Sequence, residues 1–403
     1  MKRAGCIQAS LAFIVGLVFI LGSFATPQLD VLAQETPVAW TSAPGSLPEM
    51  LGYLPNLSLE REGVTISYMN IALQAAATGI KRTSGPPPDR TQPEWVNAVI
   101  DIYVPSSLPE WRSDEWIDNA GFTMYQVNQA VEYAAPPGYL LVVRGTFSPE
   151  TVRETWKRAG YQPIDLDGHE AYAIRDDFAM DLEDDASRRL LARVNVVALA
   201  GDGILIVGSD RGAVGGALAA IAGTGPSMLD RPDIAPLAET APVNLSAAYL
   251  FPGTFVQYTP DALNAVQTDE PLDDAATRVA EEQAAARQMP PVAAVLLGLT
   301  AGHPPDKEGD IAAQSIVALS VGSAAAAERG AAVVAARLDT EDVPSSPRSS
   351  VAGRPWAELY PDRTVIAVPD AGVVLATLTP VPGIRATPLA FLAFARALSF
   401  VFW

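Results

Sequence analysis

Glycine-rich connections between a strand and a helix often bind phosphate groups, and residues 195–223 have such a composition, NVVALAGDGILIVGSDRGAVGGALAAIAG. A dinucleotide fingerprint requires G-x-G-x-x-G at the strand-to-helix turn, whereas the G-x-G at 201–203 falls inside a predicted hairpin. A P-loop requires a Lys-Ser/Thr pair after its last glycine, and the segment lacks one. We therefore expect Gly212, Gly215 and Gly216 to let a helix pack close to its sheet, and we assign no cofactor.

Histidine chemistry is limited to two residues, His169 and His303. His169 follows an Asp-Gly turn, and His303 precedes a Pro-Pro pair in a predicted loop. Neither lies in an H-E-x-x-H motif or near a G-x-S-x-G motif, so we expect both to be surface residues.

A dense group of carboxylates lies in residues 181–194, DLEDDASRRLLARV. The calcium-loop template needs a central glycine, which this segment lacks. Acids in the first turn of a helix and arginines in the last complement the helix dipole. We predict a helix stabilised by the i,i+4 pairs Asp184–Arg188 and Asp185–Arg189, and we assign no metal site.

Tryptophans and carboxylates also lie close together in one proline-interrupted region, where aromatic faces beside acids could hold and cleave a sugar chain. The residues concerned are Trp95, Trp111, Trp116, Asp101, Glu110, Asp114 and Glu115. No spacing defines a catalytic pair among the acids, and tryptophan is more often a core residue. We assign no catalytic residue, and a hydrolase of cell-wall or polysaccharide material stays an alternative.

The elements around these residues indicate an α+β fold. An apolar run at 138–147 predicts a strand. In the segment 148–161, Ser148 as N-cap, Pro149 at the first helical position and Gly160 after the last helical residue predict a helix. Residues 162–174 and 193–209 predict hairpins that turn at Asp-Gly, and a small-residue helix follows. We describe the order as strand, helix, three strands, helix.

A second copy of this order is indicated further along the chain. Residues 196–208 align without a gap on residues 365–377, with three identical pairs: Val196/Val365, Ala198/Ala367 and Gly203/Gly372. Residues 315–338 supply the preceding strand and helix, and 383–398 the closing helix. We predict two related repeats, each a small antiparallel sheet with helices packed on one face.

Proline-rich stretches define the expected domain boundaries. We predict an N-terminal signal or anchor at 1–33, a flexible proline-rich segment at 34–48, and a first α+β domain at 49–224. A linker at 225–243 and a second α+β domain at 244–403 follow.

The chain resembles uncharacterised exported bacterial proteins built from paired ferredoxin-like repeats. The resemblance rests on the V-V-R-G-x-F strand at 142–147, the Gly160–Tyr161 helix end and the D-G-x-L-x-V-G hairpin at 202–208. It is clear over 138–223 and loose over 311–398. Because these motifs serve folding, the resemblance implies no activity and no functional residue.

The N-terminus has the order of a secretory signal: Lys2 and Arg3, an apolar block, then two small-x-small cleavage patterns at 23–25 and 31–33. Residues 4–28 could alternatively serve as an uncleaved membrane tether. Either interpretation places the body of the protein in the cell envelope or outside the cell. Cys6, the single cysteine, precedes the apolar block, so the mature chain would contain no disulfide.

The charge balance limits the classes of partner. With 27 basic and 46 acidic residues, the formal net charge is −19, which opposes binding to nucleic acid or anionic lipid. The sequence therefore predicts a non-catalytic binding protein whose partner is an unknown protein or envelope component.

Overall fold

A computed structural model describes most of the chain between Gly45 and Val401. The described residues are 45–60, 63–79, 111, 113–201, 203–257, 276–277, 280–281, 283–284, 287–302, 313–343, 351, 353–382 and 399–401. All of them belong to one compact unit, Ser42–Trp403. None of the helices in these ranges is long and apolar enough to cross a bilayer.

The described residues form twelve strands and nine α-helices. The strands are β1 (Thr65–Asn70), β2 (Val127–Ala135), β3 (Gly138–Gly145), β4 (Gln162–Leu166), β5 (His169–Ala173), β6 (Val196–Leu199), β7 (Ile204–Gly208), β8 (Leu245–Pro252), β9 (Ala294–Thr300), β10 (Ser315–Ser320), β11 (Asp362–Val368) and β12 (Val373–Thr379). The helices are α1 (Leu47–Gly52), α2 (Ile71–Ala77), α3 (Asp114–Ala120), α4 (Pro149–Arg158), α5 (Asp185–Leu190), α6 (Arg211–Ile221), α7 (Ala235–Thr240), α8 (Ala324–Thr340) and α9 (Trp356–Leu359).

All twelve strands join one sheet in the order β11-β12-β10-β9-β8-β1-β2-β3-β7-β6-β5-β4. Every neighbouring pair is antiparallel. The α+β class is therefore confirmed, but the expectation of two small separate sheets is wrong. The central ladder pairs β1 with β8, with Ile66 opposite Leu250 and Tyr68 opposite Ala248. This ladder makes the two halves of the chain one continuous sheet.

The segment 225–243, which the sequence predicts as a linker, is packed against this sheet. It contains a 3-10 turn at Met228–Asp230 and helix α7. Leu237 and Ala238 of α7 are buried in the same core as the central strands. Its prolines lie in the first turn of α7 or outside the short helices, and the segment is partly buried.

One face of the sheet carries a core that both halves share. Strand residues such as Ile66, Val142 and Leu296 meet apolar side chains of α1, α6 and α7 there. The burial of these side chains accounts for the position of α1 at the start of the described chain.

The opposite face carries two cores, one for each half. In the first half, Trp116 of α3 and Trp156 of α4 pack on β2, β3 and β7. In the second half, Val334 of α8 and Trp356 of α9 pack on β9, β10 and β12. Helices thus cover both faces, so the prediction of helices on one face is wrong.

The predicted N-cap and the predicted first hairpin turn both form. Ser148 caps α4, with its Oγ accepting the Thr151 N–H at 3.3 Å, and the β4–β5 hairpin turns at Asp167–Gly168 with positive φ at both residues. The predicted order omitted one strand: β4, β5, β6 and β7 all lie between α4 and α6.

The structure does not support the gap-free alignment of residues 196–208 with residues 365–377. The strands β6 and β11 are out of register by one residue in that alignment. The β6–β7 ladder ends at Leu199–Leu205, whereas the β11–β12 ladder ends at Val368–Val373, so the first turn is one residue longer. A shift of one residue turns a side chain to the other face of a strand.

A polar network fixes the first helix to the sheet. Glu49 of α1 accepts hydrogen bonds from the Gly45 N–H and the Tyr53 hydroxyl, both at 2.6 Å, and from the Arg144 guanidinium of β3. The Tyr68 hydroxyl of β1 donates to the Gly45 carbonyl at 2.9 Å. Burial alone would raise the pKa of Glu49, but these hydrogen bonds and the charge of Arg144 together lower it.

We expect Glu49→Gln to destabilise the protein by about 1 kcal/mol at pH 7, because half-buried Arg144 loses its counter-charge. A carboxylate with a lowered pKa stabilises the fold above its unfolded value of 4.5 and loses that effect as pH falls through the folded value. Urea unfolding at pH 7 and below pH 4 measures this, and the difference between the variant and the parent protein is expected to shrink in acid. Glu60→Gln, at an exposed site, is the control. A pH-independent difference would refute the assignment.

Candidate functional site

The glycine-rich segment is closed to phosphate by its own carboxylates. Asp210 caps α6, with its Oδ1 accepting the Ala213 N–H at 2.8 Å. Asp177 Oδ1 accepts the Arg211 N–H at 3.2 Å and pairs with the Arg211 guanidinium at 2.8 Å. A phosphate at this helix end would meet two carboxylates, so the arrangement disfavours anion binding.

Gly212, Gly215 and Gly216 are expected to let α6 pack close to the sheet. Gly216 has the closest neighbour of the three, and that neighbour is not part of the sheet. A Cβ added at Gly212 or Gly215 would lie 3.2 or 3.8 Å from its nearest neighbour. At Gly216 it would lie 3.0 Å from Pro55, which follows α1 and is not in a strand. Helix and sheet approach closely at Gly208 of β7, where an added Cβ would lie 2.6 Å from a valine methyl of α6.

The two tryptophans described in the acid-rich region are core residues. Trp111 and Trp116 are fully buried, with ring centroids 6.2 Å apart, and both contact the edge or face of Phe122. Neither indole face is available to a sugar ring. Trp95 lies outside the described residues.

The neighbouring acids are not gathered around a cavity in the described part of the chain. Asp114 lies in the first turn of α3, and Glu115 forms an ion pair with Arg189 at 2.5 Å. Asp101 and Glu110 lie outside the described residues.

The structure describes one of the two histidines. His169 begins β5 and lies opposite Leu166 in the β4–β5 ladder. His303 lies outside the described residues. Among the residues that the structure describes, no group of three or more His, Cys, Asp or Glu side chains could hold a metal ion.

The predicted helix within 181–194 forms, but its predicted ion pairs do not. Helix α5 begins at Asp185, so Asp184 is its N-cap and accepts the Ala186 and Ser187 N–H groups. The Asp184 carboxylate pairs with Arg175, Asp185 pairs with Arg188 three residues on, and Arg189 turns to Glu115. The position of the N-cap shifts every partner from the expected i,i+4 pattern.

This helix is part of a longer connection, the β5–β6 loop, which we define as residues 174–195. The loop exposes four large apolar side chains: Phe178 at 45 %, Met180 at 49 %, Leu182 at 66 % and Leu191 at 52 %. Elsewhere in the described residues, comparable exposure occurs at Val243 and Ile366. Exposed apolar groups concentrated in one segment are typical of a surface that contacts another molecule.

The backbone of the β5–β6 loop is strained at the same places. Phe178, Leu191 and Ala192 have φ values of 59°, 51° and 62°, in the left-handed region that disfavours residues with a Cβ. Two of these three strained residues carry exposed apolar side chains. Leu191 is the left-handed C-cap of α5, so the end of this helix accounts for its conformation, whereas Phe178 lies outside any helix.

Hydrogen bonds hold the loop in one conformation. Asn195 Nδ2 donates to the carbonyls of Asp176 and Ala179 at 3.0 and 2.9 Å. The Phe178 N–H donates to the carbonyl of Ser209, after β7, at 2.9 Å. The Asp181 N–H donates to Ser187 Oγ of α5 at 2.8 Å. The exposed side chains are therefore displayed from a fixed backbone.

Sequence reasoning interpreted this segment through its helix dipole and missed its surface. The stretch 177–183, DFAMDLE, mixes acidic and apolar residues, which alternate from Met180 to Glu183. That alternation was visible, but it is also typical of a half-buried strand, so exposure could not be inferred from it.

Two open depressions lie along α8. Their volumes are about 330 and 360 Å³, and the Asp339–Arg363 ion pair lies in the lining of the first. Their lining contains no constellation that would activate a nucleophile.

Comparison with known proteins finds no matching family model and no matching curated protein. A solved structure titled "Structure of crystal form I of TP0453", of a Treponema protein, aligns over 86 % of this chain and 98 % of that chain. The TM-score is 0.36 and the sequence identity 8 %, so the similarity is weak and carries no argument about function.

We expect Leu191→Gly to stabilise the protein by about 1 kcal/mol, because glycine adopts the positive φ without strain. Thermal unfolding is the measurement. Leu182→Gly is the matched control, since Leu182 is exposed and its φ is not in the positive range; its stability is expected to stay equal or fall. A loss of stability in Leu191→Gly would show that the left-handed conformation is not a source of strain.

The two adjacent glycines of α6 offer a second test. Gly215→Ala is expected to raise stability by about 1 kcal/mol through helix propensity. Gly216→Ala should gain less or lose stability, because its Cβ would crowd Pro55. Equal gains in denaturant unfolding would contradict the described approach of Pro55 to the helix.

Proposed function

We propose that this chain is an exported, non-catalytic binding protein of the cell envelope or the extracellular space. The observation that carries the proposal is the concentration of exposed apolar side chains on the strained, hydrogen-bonded β5–β6 loop. A binding surface needs side chains that are displayed from a fixed backbone, which is the arrangement of this loop.

The roles of the charged side chains support the same proposal. Glu49 and Arg144 fix α1 to the sheet, and Glu115 and Arg189 join α3 to α5. These pairs stabilise contacts between elements. Both faces of the sheet in this half are covered by apolar side chains.

Export is proposed on the N-terminal sequence. Residues 1–33 have the charged, apolar and small-residue order of a secretory signal, and residues 4–28 offer the alternative of a membrane tether. These segments lie outside the described residues.

We also propose that the two halves arose as related repeats. In the first half, β1, β2, β3, β7 and β6 are neighbours in that order, and in the second half β8, β9, β10, β12 and β11 are. In both halves a helix capped by serine, Ser148 or Ser323, follows the third strand of the series. The additional β4–β5 hairpin and the β5–β6 loop belong to the first half alone in the described chain.

The hydrolase alternative has no support from the described residues, since Trp111 and Trp116 are buried and Glu115 is paired. It is tested by incubating the purified protein with cell-wall glycan fragments and analysing the mixture by mass spectrometry. We expect every fragment to be recovered unchanged.

A product that accumulates in proportion to protein concentration, and disappears in a variant carrying D101N, E110Q, D114N and E115Q, would overturn the proposal. Native mass spectrometry of the protein from its own source complements this assay. It is expected to show an intact partner held without covalent change.

A further inference from the structure

The β5–β6 loop combines apolar and acidic side chains in a definite arrangement. Met180 and Leu182 alternate with Asp181 and Glu183, and all four are exposed. Apolar groups kept in water are unfavourable, and the unfavourable contact is relieved when a partner covers them. Methionine adds a flexible side chain that adapts to the shape of a partner.

The four arginines of the loop all contact the protein's own groups. Arg175 and Arg188 pair with Asp184 and Asp185, and Arg189 pairs with Glu115 of α3. Arg193 lies over the ring of Tyr139 at 5.4 Å. Arg188 and Arg189 stay more than half exposed, but each already has a carboxylate partner, whereas Asp181 and Glu183 have no ion pair among the described residues. The exposed stretch from Asp181 to Glu183 therefore presents apolar and negative groups outward.

We propose that the β5–β6 loop is the docking surface for a cationic amphipathic segment of a partner protein. The apolar side of that segment contacts Phe178, Met180, Leu182 and Leu191, and its Lys or Arg side chains pair with Asp181 and Glu183. This inference rests on the proposed binding function and names the class of partner.

Charge complementarity selects this partner over the other candidates. A second copy of this chain would bring a net charge of −19 against the same carboxylates, and like charges oppose association. An anionic lipid surface would meet the same repulsion. A basic segment gains attraction from both the loop and the whole molecule.

The hydrogen bonds of the loop favour tight binding. Asn195 and Ser187 hold its backbone before a partner arrives, so little conformational entropy is lost on association. The contacts with Ser209 and Glu115 also attach the loop to neighbouring elements, so we expect the loop to bind without rearranging.

The test measures binding of a fluorescein-labelled lysine–leucine peptide with an amphipathic helical pattern to the full chain by fluorescence anisotropy. A glutamate–leucine peptide of the same pattern and vesicles of phosphatidylcholine with phosphatidylglycerol are parallel probes. The apolar variant carries F178S, M180S, L182S and L191S, and the charge variant carries D181N and E183Q. The matched control carries V243S and I366S, which remove exposed apolar side chains elsewhere.

We expect the lysine–leucine peptide to bind, with its affinity reduced about tenfold in the apolar variant and unchanged in the control. The charge variant should weaken binding about threefold and reduce its salt dependence. The apolar variant replaces exposed side chains, so its thermal unfolding should match or exceed that of the parent protein, which separates lost binding from lost folding.

Three results would overturn the inference: peptide binding that is equal in the apolar variant and the control, equal affinity for the glutamate–leucine peptide, or vesicle binding that depends on the loop while the peptide does not bind. Equal peptide binding in the apolar variant and the control would mean that the binding site lies elsewhere on the protein, and it would not contradict a non-catalytic binding function. Glycan turnover would instead remove the proposed function itself, so the two failures are distinguishable.

Discussion

The rest of the structure depends on the antiparallel pairing of β1 with β8. Without this ladder each half would end in an open strand edge, with unpaired backbone groups in the middle of the molecule. With it, the twelve strands become one sheet, and both faces of that sheet must be covered by apolar contacts. Helices α1, α6 and α7 cover one face across the junction, whereas α4 and α8 cover the other face in separate halves.

This constraint is one reason for proposing that function lies outside the sheet. The central strands are buried on both faces, and the polar groups near them, such as Glu49 with Arg144, complete contacts between elements. The β4–β5 hairpin extends the sheet beyond the five strands that the two halves share, and the β5–β6 loop follows it. The loop keeps four large apolar side chains in water, a feature that a purely structural connection does not need.

Local features of the fold could be predicted from the sequence where the chemistry is local. The Ser148 cap and the Asp167–Gly168 turn depend on neighbouring residues, and both form as predicted. The β1–β8 pairing depends on residues far apart in the chain, so no local pattern indicates it. The prolines of 225–243 predict a linker when only the local sequence is considered. Leu237 in this segment is buried against strands that are distant in the chain, so its burial has no local signal.

The same difference between local and long-range determinants applies to the candidate site. The absence of phosphate-binding motifs near Gly208 could be judged from spacing, whereas the burial of Trp111 and Trp116 required the packed structure. The exposure of Phe178 and Leu182 could not be predicted, because apolar residues in an acidic stretch are as consistent with a half-buried strand as with a displayed surface.

Hydrogen exchange of the full chain with and without the lysine–leucine peptide locates the bound surface without any substitution. We expect added protection confined to residues 174–195 and the elements that hold them, α3 and the start of α6. Protection that appears along α8 or on the shared face of the sheet, with the β5–β6 loop unchanged, would contradict it.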